Sequence, residues 1–76
     1  MKVNLYEAFA NGSGGFKRGD LLATSDLEVV PGGTYVIDGV PYTLVGRPTF
    51  HLTEYRKRGS RNTHVMTMVD LLVQKN

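Results

Sequence analysis

The chain has 76 residues, no cysteine and a formal charge of +2 at neutral pH, which confine it to one domain near the lower size limit for folding without covalent staples. A disulfide framework and a thiolate metal site are excluded, and no apolar run approaches the roughly 20 residues of a membrane helix. The small total hides a segregation: residues 1–46 hold Lys2, Lys17 and Arg18 against Glu7, Asp20, Asp26, Glu28 and Asp38, a net of −2, while residues 47–76 hold Arg47, Arg56, Lys57, Arg58, Arg61 and Lys75 against Glu54 and Asp70, a net of +4.

The opening Met1-Lys2-Val3-Asn4-Leu5-Tyr6-Glu7 alternates polar and apolar residues and contains no signal-peptide core, so a cytoplasmic protein is expected. Lys2 to Phe9 reads as a first strand, with Val3, Leu5, Glu7 and Phe9 on one face and Asn4, Tyr6 and Ala8 on the other. Asn11-Gly12-Ser13-Gly14-Gly15 is a turn or loop. Phe16 to Val30 suits a strand with a break or bulge. Ser25 and Glu28 have capping-box spacing, but Pro31-Gly32-Gly33 follows too soon for a useful helix.

The centre is sharper. Thr34–Ile37, Asp38-Gly39 and Val40–Val45 spell a hairpin with a two-residue type I′ turn, pairing Ile37 with Val40 and Tyr35 with Tyr42. Pro41 then falls in a non-hydrogen-bonded pair with Val36 and marks an edge or a barrel corner. Gly46-Arg47-Pro48 breaks the chain before a strand from Thr49 to Arg56.

If Gly59-Ser60 is a two-residue II′ turn, Phe50 faces Val69, Leu52 faces Thr67 and Glu54 faces Val65 on one face. On the other face Tyr55 meets His64, Thr53 meets Met66 and His51 meets Met68. The last strand, Val65 to Gln74, is apolar on both faces, as in a closed barrel, a sandwich centre or a subunit interface. Five short strands with tight turns and no repeat or linker predict an all-β fold: one small five-stranded antiparallel barrel, SH3-like or OB-like, closed or half-open, over residues 1–76.

One segment carries most of the chemistry. Tyr55-Arg56-Lys57-Arg58-Gly59-Ser60-Arg61-Asn62-Thr63-His64 places four of the nine Lys and Arg residues at a single hairpin tip. In the II′ register Arg58 faces Arg61 directly, a repulsion that a bound anion or a looser tip relieves. Tyr55 and His64 flank the cations as a cross-strand pair, and aromatic faces beside guanidinium groups suit phosphates and unstacked bases. The same cluster would also serve as a solvated edge that blocks sheet-to-sheet aggregation.

Other constellations are weaker. Gly12 to Arg18 offers glycines followed by Lys17 and Arg18, but lacks the Gly-Lys-Ser/Thr ending and following helix of a P-loop, so it reads as a hairpin loop. Lys17, Arg18 and Arg47 are secondary anion-binding candidates, provided the loops share one rim. His51 and His64 lie about 13 Å apart on one predicted face, too far for joint metal ligation. Asp38 belongs to its turn, and Glu54 and Asp70 fall on opposite faces. Tyr35 opposite Tyr42 reads as cross-strand packing. No catalytic group, metal site or cofactor site emerges, so no enzymatic activity is expected.

Two functional expectations follow. The first is a non-enzymatic barrel module binding nucleic acid or an acidic protein surface through Tyr55, Arg56, Lys57, Arg58, Arg61 and His64. The second is a homo-oligomeric interaction protein of bacterial or bacteriophage type, an inhibitor or assembly component, that buries the last strand between subunits and docks on a protein or captures a small anion.

Overall fold

The computed structural model describes residues 1–76 as five strands and no helix: β1 Lys2–Ala10, β2 Phe16–Asp26, β3 Thr34–Ile37, β4 Val40–Tyr55 and β5 His64–Lys75. They form one sheet in the order β2-β1-β5-β4-β3, curled into a half-barrel. No helix is present that could cross a membrane. The all-β half-open barrel matches expectation. One pairing differs from the antiparallel scheme: β1 runs parallel to β5, with Val3 against Val69 and Leu5 against Leu71.

The hairpins obey the local chemistry. Asp38 and Gly39 both have positive φ, 50° and 78°, as a type I′ turn requires, and the ladder pairs Ile37 with Val40, Val36 with Pro41 and Tyr35 with Tyr42. Pro41 lies just past the end of the β4–β5 ladder, which closes at Tyr42 against Lys75, so no sheet bond needs its missing N–H. A Cβ at Gly39 meets open space, yet its φ is strained for an L-residue. Gly39→Ala should therefore cost about 1–2 kcal/mol in urea unfolding, and an unchanged midpoint would mean that the turn relaxes to another type.

The longer strands absorb irregularities by bulging. Between Leu5 and Ala8 the β1–β2 ladder shifts twice, each time leaving an extra residue on β2. These bulges and the loss of β5 as a neighbour beyond Glu7 change the facing of β1: Ala8 is buried and Phe9 exposed, against simple alternation. The Gly46-Arg47-Pro48 break is also a bulge, since β4 continues through it while its pairing with β5 skips from Val45–Leu72 to Thr49–Asp70.

Seven residues make the core on the inner face: Val3, Leu5, Tyr42, Leu44, Val69, Leu71 and Val73. Residues 27–30, expected as the end of a strand, instead join Pro31-Gly32-Gly33 in crossing from one sheet edge to the other and lay Leu27 and Val29 against that core. Leu27 N–H donates to Met1 C=O on one side and Leu44 N–H donates to Gly33 C=O on the other. The Tyr35 hydroxyl pins the crossing, donating to Glu28 C=O and accepting from Val30 N–H.

Candidate anion-binding site

The sheet is not equally deep along its length. β1 covers β5 only from Met68 onward, and β3 covers β4 only as far as Thr43. Residues 52–55 and 64–67 therefore form a two-stranded ribbon without a third strand, an arm that gives the molecule extents of 47 × 28 × 20 Å. Its pairing is the expected one throughout, from Phe50–Val69 to Tyr55–His64.

The tip departs from the two-residue turn. The ladder stops at Tyr55–His64 and residues 56–63 form a loop, so Arg58 and Arg61 are not a cross-strand pair. The physical reason is the one the sequence contains: carrying the ladder further would hold two guanidinium groups face to face. Ser60 N–H instead donates to Lys57 C=O at 3.0 Å, with Gly59 at φ +80° as the third residue of that four-residue turn. The Ser60 hydroxyl accepts from Asn62 N–H at 3.2 Å and lies 3.5 Å from His64 Nε2, which ties the turn to the last ring of the ladder.

Tyr55 and His64 stand together as predicted, ring centroids 5.5 Å apart and planes tilted by 30°. Arg56, Lys57, Arg58 and Arg61 are all exposed, and none belongs to any of the three salt bridges in the protein. Beside the rings is a recess of about 270 Å³ lined by Glu54, Tyr55, Arg56 and Thr63. The arrangement offers a slanted aromatic step at the base of a cationic loop, on the arm face that also bears Met66 and Thr53.

The secondary candidates do not join this site. Because β1 is parallel to β5, the loop after β1 sits at the C-terminal end of β5, whereas the basic tip precedes its N-terminal end. Lys17 and Arg18 are therefore at the opposite end of the sheet. The Arg18 guanidinium lies 4.7 Å from the Tyr6 ring centroid, a cation–π contact that stabilises β1 against β2. Arg47 lies in the β4 bulge, eight residues before Tyr55 and so about 25 Å along the strand. The loop itself is organised by Asn11, whose Oδ1 accepts from the backbone N–H groups of Ser13 and Gly15.

Sequence reasoning missed a polar row on the outer face. The Thr24 hydroxyl donates to Asn4 Oδ1 at 2.8 Å, Asn4 Nδ2 donates to Asp70 Oδ1 at 2.9 Å, and His51 Nε2 lies 3.0 Å from the same oxygen. The carboxylate can only accept, so His51 donates from Nε2, and its Nδ1 faces the Thr53 hydroxyl at 3.4 Å. This row stitches β2, β1, β5 and β4 together. Half of it was readable: in the β4–β5 register His51 and Asp70 are diagonal neighbours on one face.

Burial pushes the Asp70 carboxyl up, but hydrogen bonds from Asn4 and His51 and the charges of His51 and Arg18 outweigh it and hold the group below 3.8. A carboxylate depressed on folding adds stability above its unfolded pKa and loses it as pH falls through the folded value. Asp70→Asn should therefore be less stable than the wild type at neutral pH, with the gap closing below about pH 4 in urea unfolding. A gap that stays constant down to about pH 2 would show that the charge of Asp70 does not contribute.

Comparison of the chain with protein-family models, with curated proteins and with solved structures gives no match.

Proposed function

We propose that this chain is a non-enzymatic, cytoplasmic binding module that engages an anionic partner through the tip of its β4–β5 arm, with single-stranded nucleic acid as the partner whose chemistry fits best. One observation supports the reading above the rest. Four exposed cations in no salt bridge lie in the loop that joins Tyr55 to His64, at the end of a protruding arm. Arg56, Lys57, Arg58 and Arg61 would contact phosphates, while Tyr55 and His64 would take an unstacked base. Positive charge alone would suit an acidic protein surface equally, and the rings are what favour a base.

The test is a fluorescence-anisotropy titration into labelled single- and double-stranded DNA and RNA at two salt concentrations. Neutralising three or four phosphates gives a log–log salt slope of about −3 to −4 on duplex and about −2 to −3 on single strands. Binding to single strands in preference to duplex, weakening steeply with salt, is the expected result. No binding at low salt would remove nucleic acid and turn the search to acidic protein surfaces.

A further inference from the structure

The arm has a second face, opposite Tyr55 and His64 by strand alternation, where exposed apolar side chains stand beside Thr67 and Glu54. Phe50, Leu52 and Val65 lie there, 60%, 72% and 56% exposed, on the continuation of the face that buries Val69 and Leu71 in the core. At the arm's root this stripe opens into a groove of about 540 Å³, floored by Met1, Leu27, Val29 and Phe50 and flanked by Asp26 and Glu28. A two-stranded ribbon is marginal in water by itself, and one exposing three large apolar side chains on a single face is more so.

Size and shape point the same way. A compact monomer of 8.4 kDa should expose about 4,600 Å², against the 5489 Å² found here. The radius of gyration is 14.3 Å, where about 11 Å is usual for this length. The excess surface, about 900 Å², is close to the ~800 Å² that each partner contributes to a standard interface.

From these observations we infer that the inner face of the arm pairs with the same face of a second copy of this chain, in a two-fold dimer whose arms lie antiparallel. Charge selects that occupant. The arm and its tip, residues 52–67, carry Arg56, Lys57, Arg58 and Arg61 against Glu54, a net of +3, and the rest of the chain carries a net of −1, so a copy is complementary to itself when its arm lies on the other's body. With the two-fold axis over Leu52, the end of the ladder at Tyr55 lies about 10 Å beyond it and Arg56 to Arg58 follow in the tip loop, which brings the tip of one arm to the root of the other. There Asp26 and Glu28 rim the groove, Glu28 in no salt bridge and Asp26 paired with the Met1 ammonium at 3.5 Å and with Lys2 Nζ at 3.9 Å. Phe50, Leu52 and Val65 of both copies form the apolar centre, at the ordinary ~10 Å spacing of face-packed sheets. Such an isologous contact is self-closing and yields a dimer, not a filament.

The interface differs from a dimer through β5 itself. β5 buries Val69, Leu71 and Val73 within its own chain and contributes only Val65 to the apolar stripe. Tyr55 and His64 stay on the other face, so dimerisation leaves the aromatic step uncovered, while Arg56 to Arg58 are shared between the dimer contact and an anionic partner, so that the two compete for them.

Sedimentation equilibrium of the full chain from about 5 to 500 µM, at low and high salt, tests this. A dimer is expected, with a dissociation constant that rises with salt. Leu52→Glu, at an exposed position, should weaken dimerisation at least tenfold and keep the circular dichroism spectrum of the wild type. A mixture of Asp26→Lys/Glu28→Lys with Arg56→Glu/Arg58→Glu should form heterodimers more tightly than either variant self-associates. A wild type that remains monomeric at 500 µM, or a Leu52→Glu variant that remains dimeric, overturns the inference. Oligonucleotide binding by monomeric Leu52→Glu keeps the two proposals separable, because that variant retains the whole tip.

Discussion

Leu71→Ala should bring the domain close to unfolding at ambient temperature. Leu71 is fully buried on β5, the middle strand of the sheet, opposite Leu5 of β1 and within the cluster formed by Val3, Tyr42, Leu44, Val69 and Val73. Truncation removes the transfer free energy of the lost atoms and leaves a cavity that a curled sheet closes poorly. Together these amount to about 2–5 kcal/mol. A domain of this length has about 4–11 kcal/mol of total stability, so the loss is a large fraction of the whole. At roughly 4–8 °C per kcal/mol the melting temperature should fall by about 8–40 °C.

The matching control is Val36→Ala on the edge strand β3, where the side chain is 70% exposed and the change should stay within about 1 kcal/mol. Both variants must be compared with the wild type at one protein concentration, because a dimer adds stability by mass action. A Leu71→Ala melting point within a few degrees of the wild type would mean that the inner face is not what holds the fold together. The vulnerability comes from chain length. Only seven side chains form the core, and the crossing segment 27–33 lends Leu27 and Val29 to cover them. No disulfide shares the work.

The parts of this fold that could be read from the chain are those set by local chemistry. Asp38-Gly39 dictates its turn, and the turn dictates the β3–β4 register. The β4–β5 register was legible for a related reason. Pairing Phe50 with Val69 and Leu52 with Thr67 is the alignment that puts the Tyr55–His64 rings opposite each other, and it survives although the tip is a loop and not a two-residue turn. An antiparallel ladder shortened by several pairs keeps its register, so the error about Gly59-Ser60 was confined to the tip.

What was not legible depends on strand order. Nothing in the alternation of Val3 and Leu5 indicates that they lie beside Val69 and Leu71 in parallel, because the pattern specifies a face and not a neighbour. That one pairing sends Lys17 and Arg18 to the far end of the sheet and sets Asn4 beside Asp70. A break or bulge in β2 was expected, but not its place, since Leu21-Leu22-Ala23 alternates no better in one register than in another. Of the candidate site, the aromatic pair and its cations were visible as neighbours in the sequence. The apolar face behind them was visible only as an alternation, and that it lies uncovered required knowing where β1 and β3 end.

Reversing charge at Arg56 and Arg58 together should abolish most oligonucleotide binding. Both side chains are exposed and make no salt bridge, so Arg56→Glu/Arg58→Glu should fold as the wild type does, with unchanged circular dichroism. Each lost hydrogen bond to a charged group removes about 1.5–3 kcal/mol, and each new carboxylate adds repulsion. The dissociation constant should rise at least about 100-fold, and the log–log salt slope should become shallower by about two. Tyr55→Ala separates the other half of the mechanism. Loss of stacking should weaken single-strand binding by about 1–3 kcal/mol, with little change in slope because no phosphate contact is removed. If both variants lose affinity in these distinct ways, phosphates and a base are held by different groups of one tip. If the reversal abolishes binding and Tyr55→Ala has no effect, the tip recognises charge alone, and an acidic protein surface becomes the better partner. A double reversal that still binds with the wild-type slope would mean that the contact lies elsewhere on the chain.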